Sequence, residues 1–401
     1  MTDFAATRAS FFLPEGVIYL DGNSLGPLPR AAPDRVHDTV TEEWGKLLIR
    51  GWNAGAGGTG WMPQPDRLGD RIGRLIGAPA GSVAVGDTLS IKVFQCLAAA
   101  LALRPDRSVI LSDTGNFPSD LYMADGLTRL MQDKTVRTVA PEDVAAALDE
   151  TIAVLMLTEV DYRTGRMHDM AQLTAAAQAK GIVVVWDLAH SAGALPVDLQ
   201  GCGPEFAAGC TYKYLNAGPG APAFVYVRPD IAEHVQPALA GWLGHAAPFD
   251  FDLTYRPGPG LARMRVGTPA VLQMAALEAA LDIWDRVDVK DVRARSITLS
   301  ERFIAEVERN CGDEVALASP RDPHQRGSQV SFRHPEGYAV MQALIARGVI
   351  GDFRAPDRIR FGFAPLYNTE EEVVEAARIL ADILTHRSWD TPRFHARAAV
   401  T

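Results

Sequence analysis

Cysteine is scarce in this chain: four in 401 residues, at positions 96, 202, 210 and 311, with no C-x-x-C spacing. That excludes a disulfide framework and the common paired-cysteine metal sites, and leaves reduced structural thiols as the expectation. Long apolar runs are missing as well. The longest extends only from Cys96 to Leu103, far short of the roughly 20 residues that span a bilayer as a helix. The opening MTDFAATRAS has no basic stretch followed by an apolar one, so no export signal is expected and the chain reads as cytoplasmic. Positive charge is not in excess either. With 39 Lys and Arg against 49 Asp and Glu, the formal net charge is -10, which opposes nucleic-acid or anionic-membrane partners. What is there, 47% apolar and 22% charged residues, is the make-up of a globular protein with a large core and room for two domains. Small-molecule chemistry is the expectation.

The Gly/Pro-rich segment DGNSLGPLPR reads as an arm, followed by a helix from about Ala31 to Leu48. Further on, Leu68, Ile72, Leu75 and Ile76 repeat the helical period, and Val93 to Leu103 is apolar nearly all round, as in a buried helix. The runs VIL (109–111), IAVLML (152–157), VVVWD (183–187) and AFVYV (223–227) read as strands. Between the middle pair, Asp169 is placed to cap a helix that Gly181 closes. Strand, helix, strand predicts an α/β fold with a mostly parallel sheet covered on both faces, its ligand beyond the carboxyl ends of the strands. Past Pro269 the pattern changes to long amphipathic helices, then QVSF, RIRFGF and a last helix with a capping box from Thr369 to Glu372. The expected organisation is an N-terminal arm and helix over 1–50, a large domain over 51–268 and a smaller C-terminal α+β domain over 269–401, with a loosely packed tail after Trp389.

GAGGTG, residues 55–60, satisfies the G-x-G-x-x-G pattern and raises a nicotinamide-dependent oxidoreductase. Its context opposes that reading. The fingerprint works when a strand delivers the glycines to a helix N-terminus, whereas here a helix and Trp52-Asn53 precede them and Trp61-Met62-Pro63 follows.

A more informative group follows the third of those strands. Asp187 closes VVVWD, and a buried carboxylate there needs a cationic partner, such as a protonated pyridine nitrogen, unless it only caps the next segment. His190 follows in DLAH, close enough to reach the same ligand; alone it would be a structural hydrogen-bonder. Lys213, between two tyrosines in TYKYLNAGPG, is a candidate for covalent attachment of a carbonyl cofactor, although a loop lysine is ordinarily just solvated. Phe117 to Asp120, FPSD, offers an aromatic face and a second carboxylate. Leu89 and Ser90 open the buried helix with free backbone N–H groups that suit a phosphate, although Ser90 would serve equally as an N-cap.

Taken in order, DGNSLG, FPSD, DLAH, TYKYLNAGPG, GWLGH and FAPLYN resemble the bacterial type of the kynureninase family of fold-type-I pyridoxal-phosphate enzymes, from about Tyr19 to Asn368. The resemblance implies a transferase-like fold: a large domain with a mostly parallel seven-stranded sheet, and a smaller α+β C-terminal domain. It implies pyridoxal 5'-phosphate as cofactor and hydrolytic Cβ–Cγ cleavage of L-kynurenine to anthranilate and L-alanine, in tryptophan catabolism or NAD biosynthesis. By matching position, Lys213 would carry the cofactor, Asp187 would bind its ring nitrogen, His190 would lie at its phenolic oxygen and Phe117 would stack on the ring. Leu89, Ser90 and Tyr212 would surround the phosphate, with Tyr212 also the candidate acid for Cβ, while Thr158 and Asp120 match further cofactor contacts. Trp242 and Thr268 would reach the phosphate from the neighbouring subunit of a homodimer with shared sites. Asn23, Ser24 and Arg360 would meet substrate, Arg360 gripping the α-carboxylate. Trp52 stands where animal-type members place histidine, which implies kynurenine over 3-hydroxykynurenine; it could also merely pack the arm. Two positions depart from the pattern: Lys92 replaces an expected Asn, and Thr268 stands where some members carry Asn. The alternative is another fold-type-I lyase such as a cysteine desulfurase, which would need S-x-H-K where this chain has T-Y-K.

Overall fold

The computed structural model describes residues 1–55 and 59–397. Ala56, Gly57 and Gly58 of the GAGGTG motif lie outside the described residues. The described flanks are a short helix, Leu48–Trp52, and a helix at Gln64–Leu75, so no strand delivers the glycines.

Seven strands form the central sheet: β1 (Val83–Val85), β2 (Val109–Asp113), β3 (Thr135–Val139), β4 (Ile152–Thr158), β5 (Val183–Asp187), β6 (Phe206–Gly209) and β7 (Phe224–Val227). Their order is β1-β7-β6-β5-β4-β2-β3. β7 runs antiparallel to both neighbours and the other pairs are parallel. Every residue of β4 and β5 is buried, as expected of central strands covered on both faces. The polar edge strand β3, TVRTV, has no apolar run and was not legible as a strand in the sequence. Between β4 and β5, Asp169 caps the helix Met170–Gln178 by accepting from the Gln172 N–H at 2.9 Å, and Gly181 takes a φ of +69° at its exit. Parallel β4 and β5 end side by side, pairing Thr158 with Asp187 at the sheet's carboxyl edge.

A second, all-antiparallel sheet is built from β8 (Ala316–Leu317), β9 (Gln329–Arg333), β10 (Asp352–Arg354) and β11 (Arg358–Gly362) in the order β8-β9-β11-β10. Phe303, from the helix Val289–Cys311, anchors its core, with ring centroids 4.8 Å from Phe361 and 5.4 Å from Phe363. Two boundaries differ from expectation. The helix Val271–Trp284 was assigned to the second domain, yet Met274, Leu277, Leu281 and Trp284 bury into the core of the first. The tail is not loose through its described part, because Trp389 and Phe394 join the second core. Apolar burial, not the change in sequence pattern, decides both.

The arm joins the two bodies. Phe11 packs in the first core, Leu20 in the second, and Ile18–Tyr19 pairs in parallel with Val349–Ile350. The expected helix after it forms as Ala32–Asp38, widens to a π-helix over Thr39–Leu47 and ends at Leu48, whose φ is +54°. No described helix is long and apolar enough to cross a membrane.

At the start of the helix Glu370–Thr385, the Glu372 N–H donates to Thr369 Oγ1 at 3.3 Å and the Thr369 N–H to Glu372 Oε2 at 3.0 Å. Glu372 also receives Arg8 from the arm at 2.6 Å. Replacing Thr369 by Ala should cost about 1 kcal/mol. A lower urea midpoint with an unchanged slope is the expected reading; an unchanged midpoint would remove the capping box from the stability of this helix.

Candidate active site

Beyond the carboxyl ends of β4 and β5, a cavity of about 190 Å³ is lined by residues from the arm, the large body and the small sheet, Lys213 among them. Lys213 sits on the loop after β6, a tight turn closed by Asn216, whose φ is +61° and whose N–H donates to the Lys213 carbonyl at 2.9 Å. Buried Tyr214 pins the turn from beneath by donating to the Ser328 carbonyl at 3.0 Å. The side chain of Lys213 thereby points to His190, with Nζ 3.0 Å from Nε2. Burial, and then the Lys213 charge, hold His190 well below the usual histidine range, so the imidazole is neutral and can accept from the ammonium. A side-chain hydrogen bond with Gln329 opposes this lowering.

Asp187 is buried at the strand end as expected. Oδ1 accepts from the Ala189 N–H at 2.8 Å and Oδ2 from Thr158 Oγ1 at 3.2 Å. The first contact satisfies the local capping role, but the carboxylate faces the cavity and Ala189 lines it beside Asp187. Burial raises its pKa, against the lowering pull of Lys213. Asp120 reaches the same point from the first turn of the helix Pro118–Leu130 and is raised well above the carboxylate range, by burial first and by Asp187 second. A side-chain hydrogen bond joins Asp120 to Asp187. Two desolvated carboxylates side by side call for a proton or a cation between them.

Phe117 lines the cavity and meets Tyr162 edge to face at 5.1 Å. Leu89 lines it at the N-terminus of the helix Leu89–Leu103. The N-cap of that helix is Thr88, not Ser90, and the Ser90 hydroxyl instead pairs with Ser119 Oγ at 3.0 Å. Capping therefore does not occupy Ser90. Tyr212 completes this side, and the Lys213 ammonium lies 5.9 Å from its ring centroid.

Across the cavity stand Asn23, Ser24, Arg354 and Arg360. Asn23 is wholly buried, and neither amide atom has a partner among the described residues, so a ligand is needed to satisfy it. Arg360 is fully buried and its fork is directed at Asp352: Nε donates to Oδ1 at 2.7 Å and Nη2 to Oδ2. Ser24 Oγ accepts from Nη2 at 2.8 Å, and the Tyr162 carbonyl from Nη1. The bidentate geometry expected for substrate is thus already made, to a protein carboxylate. Tyr162, Arg354 and Asp352 were missed in the sequence. Only the alternation D-x-R in a short strand opposite Arg360 could have signalled the last two.

Three expected residues lie elsewhere in this chain. Trp52 stacks edge to face on Trp61 at 5.7 Å, Trp242 on Phe249 at 6.0 Å, and Thr268 lines a separate cavity of about 110 Å³ with Asp87 and Lys92. Lys92 is a buried ammonium that donates to Asp87 Oδ2 at 2.8 Å, Gln95 Oε1 at 3.0 Å and the Met264 carbonyl at 3.2 Å.

Among solved structures, a cysteine desulfurase from Thermococcus onnurineus NA1 superposes with a TM-score of 0.78 at 18% identity, over 95% of this chain and 98% of that one. A C-DES variant with glycine covalently linked to its PLP cofactor gives 0.79 at 21% identity, over 94% and 99%. At these identities the likeness shows the fold, a fold-type-I architecture. Residues 292–380 match the family model described as the kynureninase C-terminal domain. A kynureninase of Pseudomonas fluorescens is 49% identical over 99% of this chain and 96% of its own length, and one of Burkholderia pseudomallei (strain 1106a) is 50% identical over the same shares. The chain belongs to the kynureninase family.

Proposed function

We infer that this chain is a pyridoxal-5'-phosphate-dependent hydrolase that cleaves the Cβ–Cγ bond of L-kynurenine to anthranilate and L-alanine. The near-full-length identity of about half to curated kynureninases carries the reading. The residues present fit the cofactor. Lys213 offers an amine for covalent attachment, the Asp187–Asp120 pair needs a cation that a pyridine N–H would supply, and Phe117 offers a ring face. The first-turn N–H groups at Leu89 and Ser90 suit a phosphate. When bound, the cofactor supplies an electron sink for negative charge at the substrate's Cα and Cβ.

The chain's own groups supply the proton chemistry. Lys213 Nζ, held by neutral His190, is the base placed to take and return the Cα proton. Tyr212, whose pKa the Cys210 sulfur and burial push above its ordinary value, stays protonated at neutral pH and is our donor for Cβ. Asn23, Ser24 and Arg360 would hold the amino-acid end.

The desulfurase alternative has no ready thiolate among the four cysteines. Burial pushes Cys96 up to about 12 and Cys311 up to about 11, and Cys210 and Cys202 are raised by burial as well.

Further parts of the reading are proposals. Exposed Trp242, Phe249, Phe251 and Leu253 form an apolar surface that supports a homodimer, within which Trp242 and Thr268 would reach the partner's phosphate. We place the enzyme in the cytoplasm and in tryptophan catabolism, acting on no nucleic acid or membrane. Trp52 would select kynurenine over 3-hydroxykynurenine, because an indole has one donor and no acceptor for a ring hydroxyl.

The following measurements test these roles. Purified protein given L-kynurenine should release anthranilate, and borohydride should label Lys213. Lys213→Ala should lower turnover by about 10²–10⁴-fold, and labelling of another lysine would overturn the assignment. Asp187→Ala should reduce kcat far more than cofactor affinity, with Asp187→Glu partly active, because an uncharged ring nitrogen withdraws electrons poorly. Full activity in the Ala variant would displace the ring nitrogen from Asp187. Trp52→His should move the ratio of specificity constants toward 3-hydroxykynurenine by about tenfold; an equal loss on both substrates would return Trp52 to a packing role against Trp61.

A further inference from the structure

We propose that Lys92 is a positioning residue of the phosphate cradle: its buried ammonium ties the turn over residues 86–88 to the segment 264–268, and so keeps the N–H groups at Leu89 and Ser90 aimed at the cofactor's phosphate. The inference rests on the proposed binding of pyridoxal 5'-phosphate at that helix start and adds the residue that holds the start in shape.

The ammonium is fully engaged. It carries three hydrogens, and Lys92 Nζ meets three acceptors from three places: Asp87 Oδ2 at 2.8 Å in the turn, Gln95 Oε1 at 3.0 Å further along the helix, and the Met264 carbonyl at 3.2 Å from a distant segment. Its side chain is only 3% exposed. No hydrogen is left for a ligand, so Lys92 acts on the phosphate through the backbone and not by touching it. A buried cation persists only where acceptors compensate its lost water, and such pairs serve to fix one geometry. The helix Leu89–Leu103 is otherwise apolar nearly all round, so packing alone gives no reason for a charge here. The family resemblance expects Asn at this position and did not imply an ionic tie.

The turn that Lys92 grips needs holding. β1 ends at Val85, and its pairing with β7 carries on as the Gly86 N–H donates to the Ala223 carbonyl at 2.8 Å and the Ala223 N–H to the Asp87 carbonyl at 3.0 Å. Asp87 then takes a φ of +54°, the left-handed region that a residue with a Cβ keeps only when its surroundings hold it. Thr88 is extended and the helix begins at Leu89. Lys92 is the fourth residue of that helix, and its own N–H donates to the Thr88 carbonyl at 3.0 Å. Its ammonium therefore staples the turn onto the helix that the turn introduces. Relaxation of Asp87 would swing the helix start off the strand end, and the free N–H groups would lose their common aim. The far end of the tie is also anchored. After Met264, Arg265 donates to Asp66 Oδ2 at 3.2 Å and to the Met62 carbonyl at 3.1 Å, and the Val266 carbonyl accepts from the Leu243 N–H at 3.2 Å, beside Trp242. One ammonium thus joins the element that bears Leu89 and Ser90 to the segments that bear Trp242 and Thr268.

Titration of the full-length protein, first freed of cofactor, with pyridoxal 5'-phosphate and with pyridoxal reads the phosphate's share of binding apart from turnover, by cofactor absorbance. Lys92→Met, which keeps the stem and removes the charge, should lower the preference for the phosphorylated form by about tenfold and leave the affinity for pyridoxal nearly unchanged. The fold should survive, because a third of Asp87 is already exposed and Gln95 Nε2 still donates to the Met264 carbonyl at 3.3 Å. Lys92→Arg keeps the charge but replaces the compact tripod of donors by a planar fork, and should fall between. Asp87→Asn breaks the ion pair from its exposed end, should act in the same direction, and decides the matter should the Met variant fail to fold. A preference reduced by less than about threefold in the folded variant would overturn the proposal, since a merely structural role would weaken both ligands alike; a larger, selective reduction supports it. A wild type with no preference for the phosphorylated form would refute the phosphate assignment of Leu89 and Ser90 and the role of Lys92 with it. A wild type that has the preference but forms no anthranilate would refute the hydrolase reading alone, and the two-ligand comparison would still decide the role of Lys92.

Discussion

The site depends on one electrostatic constraint: Asp187 and Asp120 lie together, both almost wholly buried. Carboxylates so placed cannot both remain ionised without a cation. Thr158 and the Ala189 N–H satisfy part of Asp187, and Asp120 shares a side-chain hydrogen bond with it. The Lys213 charge acts on both, and Lys213 is itself turned toward neutral His190. The arrangement suits a ring with a protonatable nitrogen at one end and an amine-reactive carbonyl nearby. That is the chemistry the family reading requires.

A second ionic cluster faces the first across the cavity. Asp352, Arg360, Arg354 and Ser24 come from the small sheet and the arm, whereas Asp187, His190 and Lys213 come from the large body. Neither half is a site alone. The arm makes the pairing possible because its strand joins Val349–Ile350 while Phe11 sits in the first core. Asn23 occupies the join, packed so closely that a Cβ on Gly362 would meet its Oδ1 at 2.0 Å. Close packing holds its amide at the cavity with no alternative partner, so a substrate group can complete it without rearrangement.

Much of this was legible in the sequence, for identifiable reasons. Strands β2, β4, β5 and β7 showed because central strands buried on both faces must be continuous apolar runs, and the Asp169 and Thr369 caps showed because orphan helix N–H groups need side-chain acceptors nearby. Asp187, His190 and Lys213 were readable because acidic, imidazole and amine groups at the end of a buried strand and on the following loop have few uses apart from a ligand. The polar edge strand β3 was not, since an edge needs no apolar run.

By itself the sequence determined the local elements, the order of the functional motifs and the family, all of which reside in short-range pattern. Only tertiary structure decided that the helix Val271–Trp284 belongs to the first core, that Ser90 is free of capping, and that the Arg360 fork is already taken by Asp352. Trp52 likewise packs on Trp61 in its own chain, which no motif could reveal. The physical reason is common to all four: burial and hydrogen-bond partnership depend on which distant segments meet, and the periodicity of one segment carries no information about the donors and acceptors of another.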